Sequence, residues 1–85
     1  MQNLDQIRGK IDKIDQKLDM LLQKRANLVF KLKKIKKIAK IPVEDKKREA
    51  EILSKFDSKY VKTVFKTILS ASKILQKSPN KTLKK

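Results

Sequence analysis

The chain has 85 residues, no cysteine and no histidine, and a formal net charge of +15 from 24 basic and 9 acidic side chains. That length holds one small domain, which buries a modest core and often leans on oligomerisation. The missing residue types exclude a disulfide framework, a thiolate metal site and an imidazole base, so any catalysis rests on Arg, Lys, Asp, Glu, Ser or Gln.

No apolar run approaches the roughly 20 residues that cross a bilayer. The opening Met1-Gln2-Asn3-Leu4-Asp5 lacks the basic-then-apolar order of a signal peptide, so a cytoplasmic location is expected. The charge is uneven: residues 31–41 carry six lysines and no acid, and residues 58–85 carry eight lysines and no acid. Such a field attracts anions, whether nucleic acid, membrane surface or a small polyanionic metabolite. Compositional drift accounts for most of the lysines equally well, because surface charge constrains a fold weakly.

The first predicted element is a helix from about residue 4 to 40. Leu4, Ile7, Ile11, Ile14, Leu18, Leu21, Leu28, Leu32 and Ile35 recur at alternating steps of three and four, with Arg25 in the one skipped slot. This is a heptad seam sustained over more than four heptads. Leu22, Val29 and Phe30 widen the apolar surface beside Arg25, so more than one neighbour packs there. Gly9 sits inside the helix at a cost of about 1 kcal/mol relative to Ala. At 1.5 Å per residue the helix is about 55 Å long, whereas a globule of this chain length has a radius of gyration of about 12 Å. The helix must protrude, and its exposed seam calls for a partner chain, most economically in a symmetric dimer.

Pro42 ends that helix. Asp45 is a good N-cap for a second helix running to about Phe56, with Arg48, Glu49, Ile52, Leu53 and Phe56 facing inward. Asp57-Ser58 forms a short break, and Ser58 caps a third helix with Val61, Val64, Phe65, Ile68, Leu69, Ser72, Leu75 and Gln76 on one face. This helix is expected to end before Ser78-Pro79-Asn80. The chain therefore divides into a helical domain over residues 1–78 and a basic tail over 79–85 that is expected to fray. The fold class is all-α, with one long, one short and one medium helix per chain.

The informative positions are those where a polar residue interrupts an apolar stripe. Arg25 occupies the seam, Arg8 and Lys36 flank it, Arg48 and Glu49 lie one turn before Ile52, and Ser72 and Gln76 continue the third stripe. Burying cations without partners is costly. Asp45 and Glu49 cannot balance Arg8, Arg25, Lys36 and Arg48 together, which points to a bound anion, a dicarboxylate among the candidates. Arg suits bidentate carboxylate recognition. Each position also has an ordinary structural explanation. Arg25 can set heptad register, Arg8 and Lys36 can snorkel, Arg48 and Glu49 can be first-turn surface residues, and Ser72 and Gln76 can lie in a fraying helix end. Periodicity alone stops at a helical dimer with a polar interior.

The joint order of short motifs goes further. Leu4-Asp5-Gln6-Ile7-Arg8, then Ile11-Asp12, Ile14-Asp15, Leu21-Leu22 and Arg25, resembles the opening of the all-helical (AroQ-class) chorismate mutases. Pro42-Val43-Glu44-Asp45-Lys46-Lys47-Arg48-Glu49 resembles that family's Pro-Val-x-Asp-x-x-Arg-Glu motif, and Val64-Phe65, Ile68, Ser72 and Gln76 resemble its closing helix. The resemblance spans about residues 4–77. It implies an intertwined homodimer whose two sites share residues across the long helices. It implies a monofunctional enzyme, with no cofactor and no metal, converting chorismate to prephenate in phenylalanine and tyrosine biosynthesis. Residue by residue, it implies that Arg8 reaches the other subunit's site to bind a carboxylate and that Arg25 binds one in its own subunit. Lys36 would contact a carboxylate and the ether oxygen, and Asp45 and Glu49 would hold the ring hydroxyl. Arg48 would sit beside the substrate and order the acids, Ser72 would contact a carboxylate, and Gln76 would donate to the ether oxygen.

Two features depart from the family pattern. The connection around Phe56 to Lys59 is shorter than expected, and Lys73 stands where a more apolar neighbour of Ser72 is expected. Three other readings compete. An isochorismate pyruvate-lyase shares the fold and a cationic pocket. A basic helical nucleic-acid-binding dimer fits the net charge, but lysine outnumbers arginine and no binding motif or stacking surface is evident, so nucleic acid is not the expected partner. A catalytically inactive structural dimer is the third. The chain has no room for a fused dehydratase, dehydrogenase or regulatory domain, so feedback control is not expected to be built into it.

Overall fold

The computed structural model describes residues 3–77 and contains three helices: α1 over Leu4–Ala39, α2 over Lys46–Ser54 and α3 over Lys59–Lys77. The expected end of the third helix before Ser78 and the tail beyond Pro79 lie outside the described residues. The connection between α2 and α3, expected to be short, is the four residues 55–58.

Asn3 starts α1 through a reciprocal cap. Its side chain accepts from the Gln6 backbone N–H at 2.9 Å, and the Gln6 side chain accepts from the Asn3 N–H at 3.0 Å. Two otherwise orphaned donors are thereby satisfied. At the other end Lys40 adopts a left-handed conformation, φ 58°, the only positive φ among the described residues. The Ile41 N–H bonds the Lys36 carbonyl at 2.8 Å and the Lys40 N–H bonds the Lys37 carbonyl at 3.3 Å, closing the last turn before Pro42.

Asp45 caps α2 by accepting from the Arg48 N–H at 2.9 Å. The helix ends at Ser54, two residues before the expected Phe56. The N–H groups of Lys55 and Phe56 bond the carbonyls of Ile52 and Leu53, three residues back. This tight closing turn releases Phe56 from the helix. Its ring packs on Phe65 of α3, centroids 4.4 Å apart. Ser58 caps α3 as expected, accepting from the Val61 N–H at 3.3 Å.

Helix α3 packs against both α1 and α2. Its inward stripe carries the buried Leu69 and Gln76 and the half-buried Phe65, Ile68, Ser72 and Leu75. Val64, expected on that face, is exposed; it lies at the edge of the contact arc, one residue from Phe65. The partner surface on α1 is not the heptad seam but the flank beside it, centred on the buried Val29. The seam itself stays in solvent: Ile11, Ile14, Leu18, Leu21 and Leu28 are each about half exposed or more. The chain accordingly extends 56 × 30 × 14 Å with a radius of gyration of 16.0 Å, well above the ~12 Å of a globule this long. Among the described residues only Val29 and Leu69 are buried apolar side chains, which is too little core for a free-standing domain.

Candidate active site

Where the C-terminal half of α1, the start of α2 and the C-terminal half of α3 meet, they line a half-open cavity of about 170 Å³. Val29, Leu32, Val43, Ile52 and Leu69 supply its apolar walls. Its polar lining is Arg25 and Lys36 from α1, Asp45, Arg48 and Glu49 from the α2 cap and first turn, and Ser72, Lys73 and Gln76 from α3. Seven of the eight residues singled out from the sequence therefore surround one cavity. Arg8 does not. It is exposed on α1 and lies 17 residues before Arg25, about 25 Å along the helix axis. Within one chain it cannot reach the cavity.

The cations are held by identifiable partners. The Arg25 Nη1 donates to the Ser72 Oγ, linking α1 to α3. The Ser72 hydroxyl in turn donates to the Ile68 carbonyl at 2.8 Å, so Ser72 acts here as an acceptor that orients Arg25. The Lys36 Nζ donates to the Val43 carbonyl at 2.9 Å, fixing the ammonium beneath the loop between α1 and α2. An ammonium has three donors, so this bond leaves Lys36 able to serve an anion in the cavity. Arg48 behaves differently from the expectation that it orders the acids. Its guanidinium lies 3.9 Å from Glu51, an exposed i,i+3 pair of small energetic weight.

Glu49 is held instead by Lys73, whose Nζ sits 3.2 Å from the Glu49 carboxylate and 3.7 Å from that of Glu44. The hydrogen bond to Glu49 is the main cause that lifts Lys73 above its ordinary 10.5, with a lesser opposing effect of desolvation. Raising a cation's pKa on folding favours the folded state below the ordinary value, and that contribution fades as pH climbs through the raised one. The pair therefore stays intact across the neutral range. Sequence reasoning marked Lys73 only as an oddity. Its partner lies on another helix, 24 positions away, and no local spacing announces the pair.

Gln76 is the most deeply buried polar side chain of the described chain, 8% exposed. Its Oε1 has no hydrogen-bond partner among the described residues. A buried amide oxygen left unpaired costs about 1–3 kcal/mol, and such an atom lining a cavity marks a place where a ligand atom belongs. A half-turn of the amide presents Nε2, a donor, at the same position. Four cations against two carboxylates give the lining a formal excess of two positive charges. Two hollows adjoin it. One, of about 370 Å³, runs past Leu22, Ala26, Ile68, Ala71 and Leu75 and is almost wholly apolar. The other, of about 250 Å³, is lined by Lys33, Lys36 and Lys37 with Ile41, Val43 and Gln76. No group of His, Cys, Asp and Glu among the described residues could hold a metal ion, and no described helix is long and apolar enough to cross a membrane.

A three-helix chain with a cationic interior cavity and a long unpaired seam defines a class, and comparison with known proteins gives that class its name. The family model for chorismate mutase type II matches residues 7–77, and the chain belongs to that family. It is also similar to a bifunctional chorismate mutase/prephenate dehydratase of Aquifex aeolicus (strain VF5), 38% identical over 55 residues, which cover 65% of this chain and 15% of the relative. The match thus spans only a small part of that curated relative. No solved structure gives a significant match.

Proposed function

We propose that the chain is a chorismate mutase, converting chorismate to prephenate in the biosynthesis of phenylalanine and tyrosine, and that it works in the cytoplasm as an intertwined homodimer. The observation that carries the reading is the cavity's excess of two positive charges, arranged around the buried Gln76, whose amide oxygen has no partner among the described residues. The substrate is a dianion with two carboxylates, an ether oxygen and a ring hydroxyl, and the lining has a group for all of these but one carboxylate. Arg25 takes one carboxylate, with Ser72 orienting it. Lys36 and Gln76 meet the ether oxygen. Asp45 and Glu49 hold the ring hydroxyl, which donates its one proton to the Glu49 carboxylate, beside Arg48. Arg8 of the partner subunit takes the second carboxylate.

The rearrangement is unimolecular. One C–O bond breaks as one C–C bond forms, and no proton or electron leaves the substrate. Catalysis therefore needs no nucleophile, no general base and no cofactor, which suits a chain without His or Cys. Two effects remain. The cavity holds the substrate in its folded, diaxial conformer, an orientation effect. Lys36 and Gln76 then act as preorganised donors to the ether oxygen as negative charge builds on it. The Gln76 amide is neutral at any pH, so it brings no acid optimum to the rate. The lysine-lined hollow beside Lys36 gives the dianion a cationic approach.

The dimer supplies what a single chain lacks. Its partner covers the half-exposed seam of α1, and the antiparallel run of two long helices carries the distant Arg8 to the opposite cavity. Residues 1–78 form the functional domain. Chorismate and isochorismate, offered separately with product analysis, test the reaction assignment. Prephenate from chorismate is the expected product; pyruvate and salicylate from isochorismate alone would instead make the chain a pyruvate-lyase.

A further inference from the structure

Lys73 is a fourth cation in the cavity. It reaches across from α3 to the carboxylates of Glu49 on α2 and Glu44 in the preceding loop. Glu49 and the Lys73 side chain are each only about a quarter exposed, so the contact is shielded where it meets the cavity wall. The other charged groups facing this corner are Asp45 and Arg48 on α2 and Arg25 and Lys36 on α1. None of these side chains bonds the Glu49 carboxylate: Arg48 reaches Glu51, Arg25 reaches Ser72, Lys36 reaches the Val43 carbonyl, and Asp45 meets Glu49 only through its backbone carbonyl, which accepts from the Glu49 N–H at 3.0 Å.

We propose that Lys73 is a positioning residue for the substrate's ring hydroxyl: it clamps the Glu49 carboxylate, leaving one acceptor oxygen aimed at the hydroxyl, and ties α3 to α2 at the cavity rim. The inference rests on the reading of this cavity as a chorismate site. A carboxylate has about four lone-pair positions. The ammonium occupies Oε2 of Glu49, which leaves Oε1 for the ligand. Without the clamp, Glu49 follows Arg48 directly and lies one turn from Lys46 at the start of α2, free to turn outward. The raised pKa of Lys73 agrees with a pair that persists at neutral pH. The hydroxyl is not among the bonds that form or break, so its grip acts equally on bound substrate and transition state. Loss of such uniform binding appears in KM rather than kcat.

The test is steady-state kinetics of Lys73→Met and Lys73→Arg dimers, with chorismate and with an analogue lacking the ring hydroxyl. Lys73→Met keeps most of the side-chain volume and removes the charge. It is expected to raise KM for chorismate about five- to tenfold, part of the tenfold or more that a hydrogen bond to a charged group is worth, with kcat within about twofold. Lys73→Arg restores KM, and the analogue's KM is the same for all three proteins. An unchanged chorismate KM in Lys73→Met overturns the inference. So does an equal loss for chorismate and analogue, which a merely structural lysine would give. No turnover of chorismate by the unsubstituted protein contradicts the functional reading itself, and the inference falls with it.

Discussion

Replacing Gln76 with leucine should make the protein more stable and nearly inactive at once. Gln76 is 8% exposed and its Oε1 has no partner. A buried amide oxygen with no partner within the chain costs about 1–3 kcal/mol, and an apolar side chain of similar shape removes that cost. Part of the gain is offset by imperfect packing, so a net gain of about 1 kcal/mol is expected. For a domain of this size that corresponds to a rise in Tm of about 4–8 °C. On the proposed reading, the same substitution deletes a donor to the ether oxygen. Loss of one preorganised donor costs about 10²–10³ in kcat, or about 2.7–4 kcal/mol of barrier. Thermal unfolding at a fixed protein concentration gives the first number, since a dimer's Tm depends on concentration. The decay of chorismate absorbance gives the second. A lower Tm with turnover within tenfold of the unsubstituted protein would refute the reasoning, because Gln76 would then be a packing residue.

Two further predictions concern the scaffold. Lys40→Gly relieves a left-handed, non-glycine backbone and should stabilise the protein by about 0.5–1 kcal/mol, after the entropy glycine adds to the unfolded chain; turnover should not change, since Lys40 is outside the cavity lining. Leu18→Asp places a carboxylate in the exposed seam and should abolish both the dimer, by light scattering, and chorismate turnover; a dimer of undiminished affinity would mean the seam is not the interface.

The long helix was legible because its evidence is distributed. Nine apolar positions at steps of three and four leave one consistent face, and no single residue decides it. The Asn3–Gln6 cap was not read from the sequence, although Asn-x-x-Gln ahead of an apolar run is a capping-box spacing. Boundaries set by a few weak bonds were less legible. The end of α2 turns on whether Phe56 continues the helix or packs on Phe65, which is a tertiary choice. The exposure of Val64 is another: the stripe allows it inward, but the contact with α1 and α2 is narrower than the stripe. In the cavity, Arg25, Ser72 and Gln76 were readable as polar breaks in apolar stripes. The roles of Lys73 and the Val43 carbonyl were not, since each depends on how two elements meet in space. The expectation that Arg48 orders the acids came from a resemblance, and the geometry gives Glu49 to Lys73 instead.

The central claim is that two chains build each chorismate site, and mixing two crippled variants tests it most directly. Arg8→Ala and Lys36→Ala dimers should each turn over chorismate orders of magnitude more slowly than the unsubstituted protein. Refolded together in equal amounts, half of the dimers are mixed, and each mixed dimer carries one intact site and one doubly impaired one. The mixture is therefore expected to recover about a quarter of the unsubstituted turnover, from the one-in-two share of mixed dimers and subunit symmetry. A mixture no more active than the average of its two components would contradict the account.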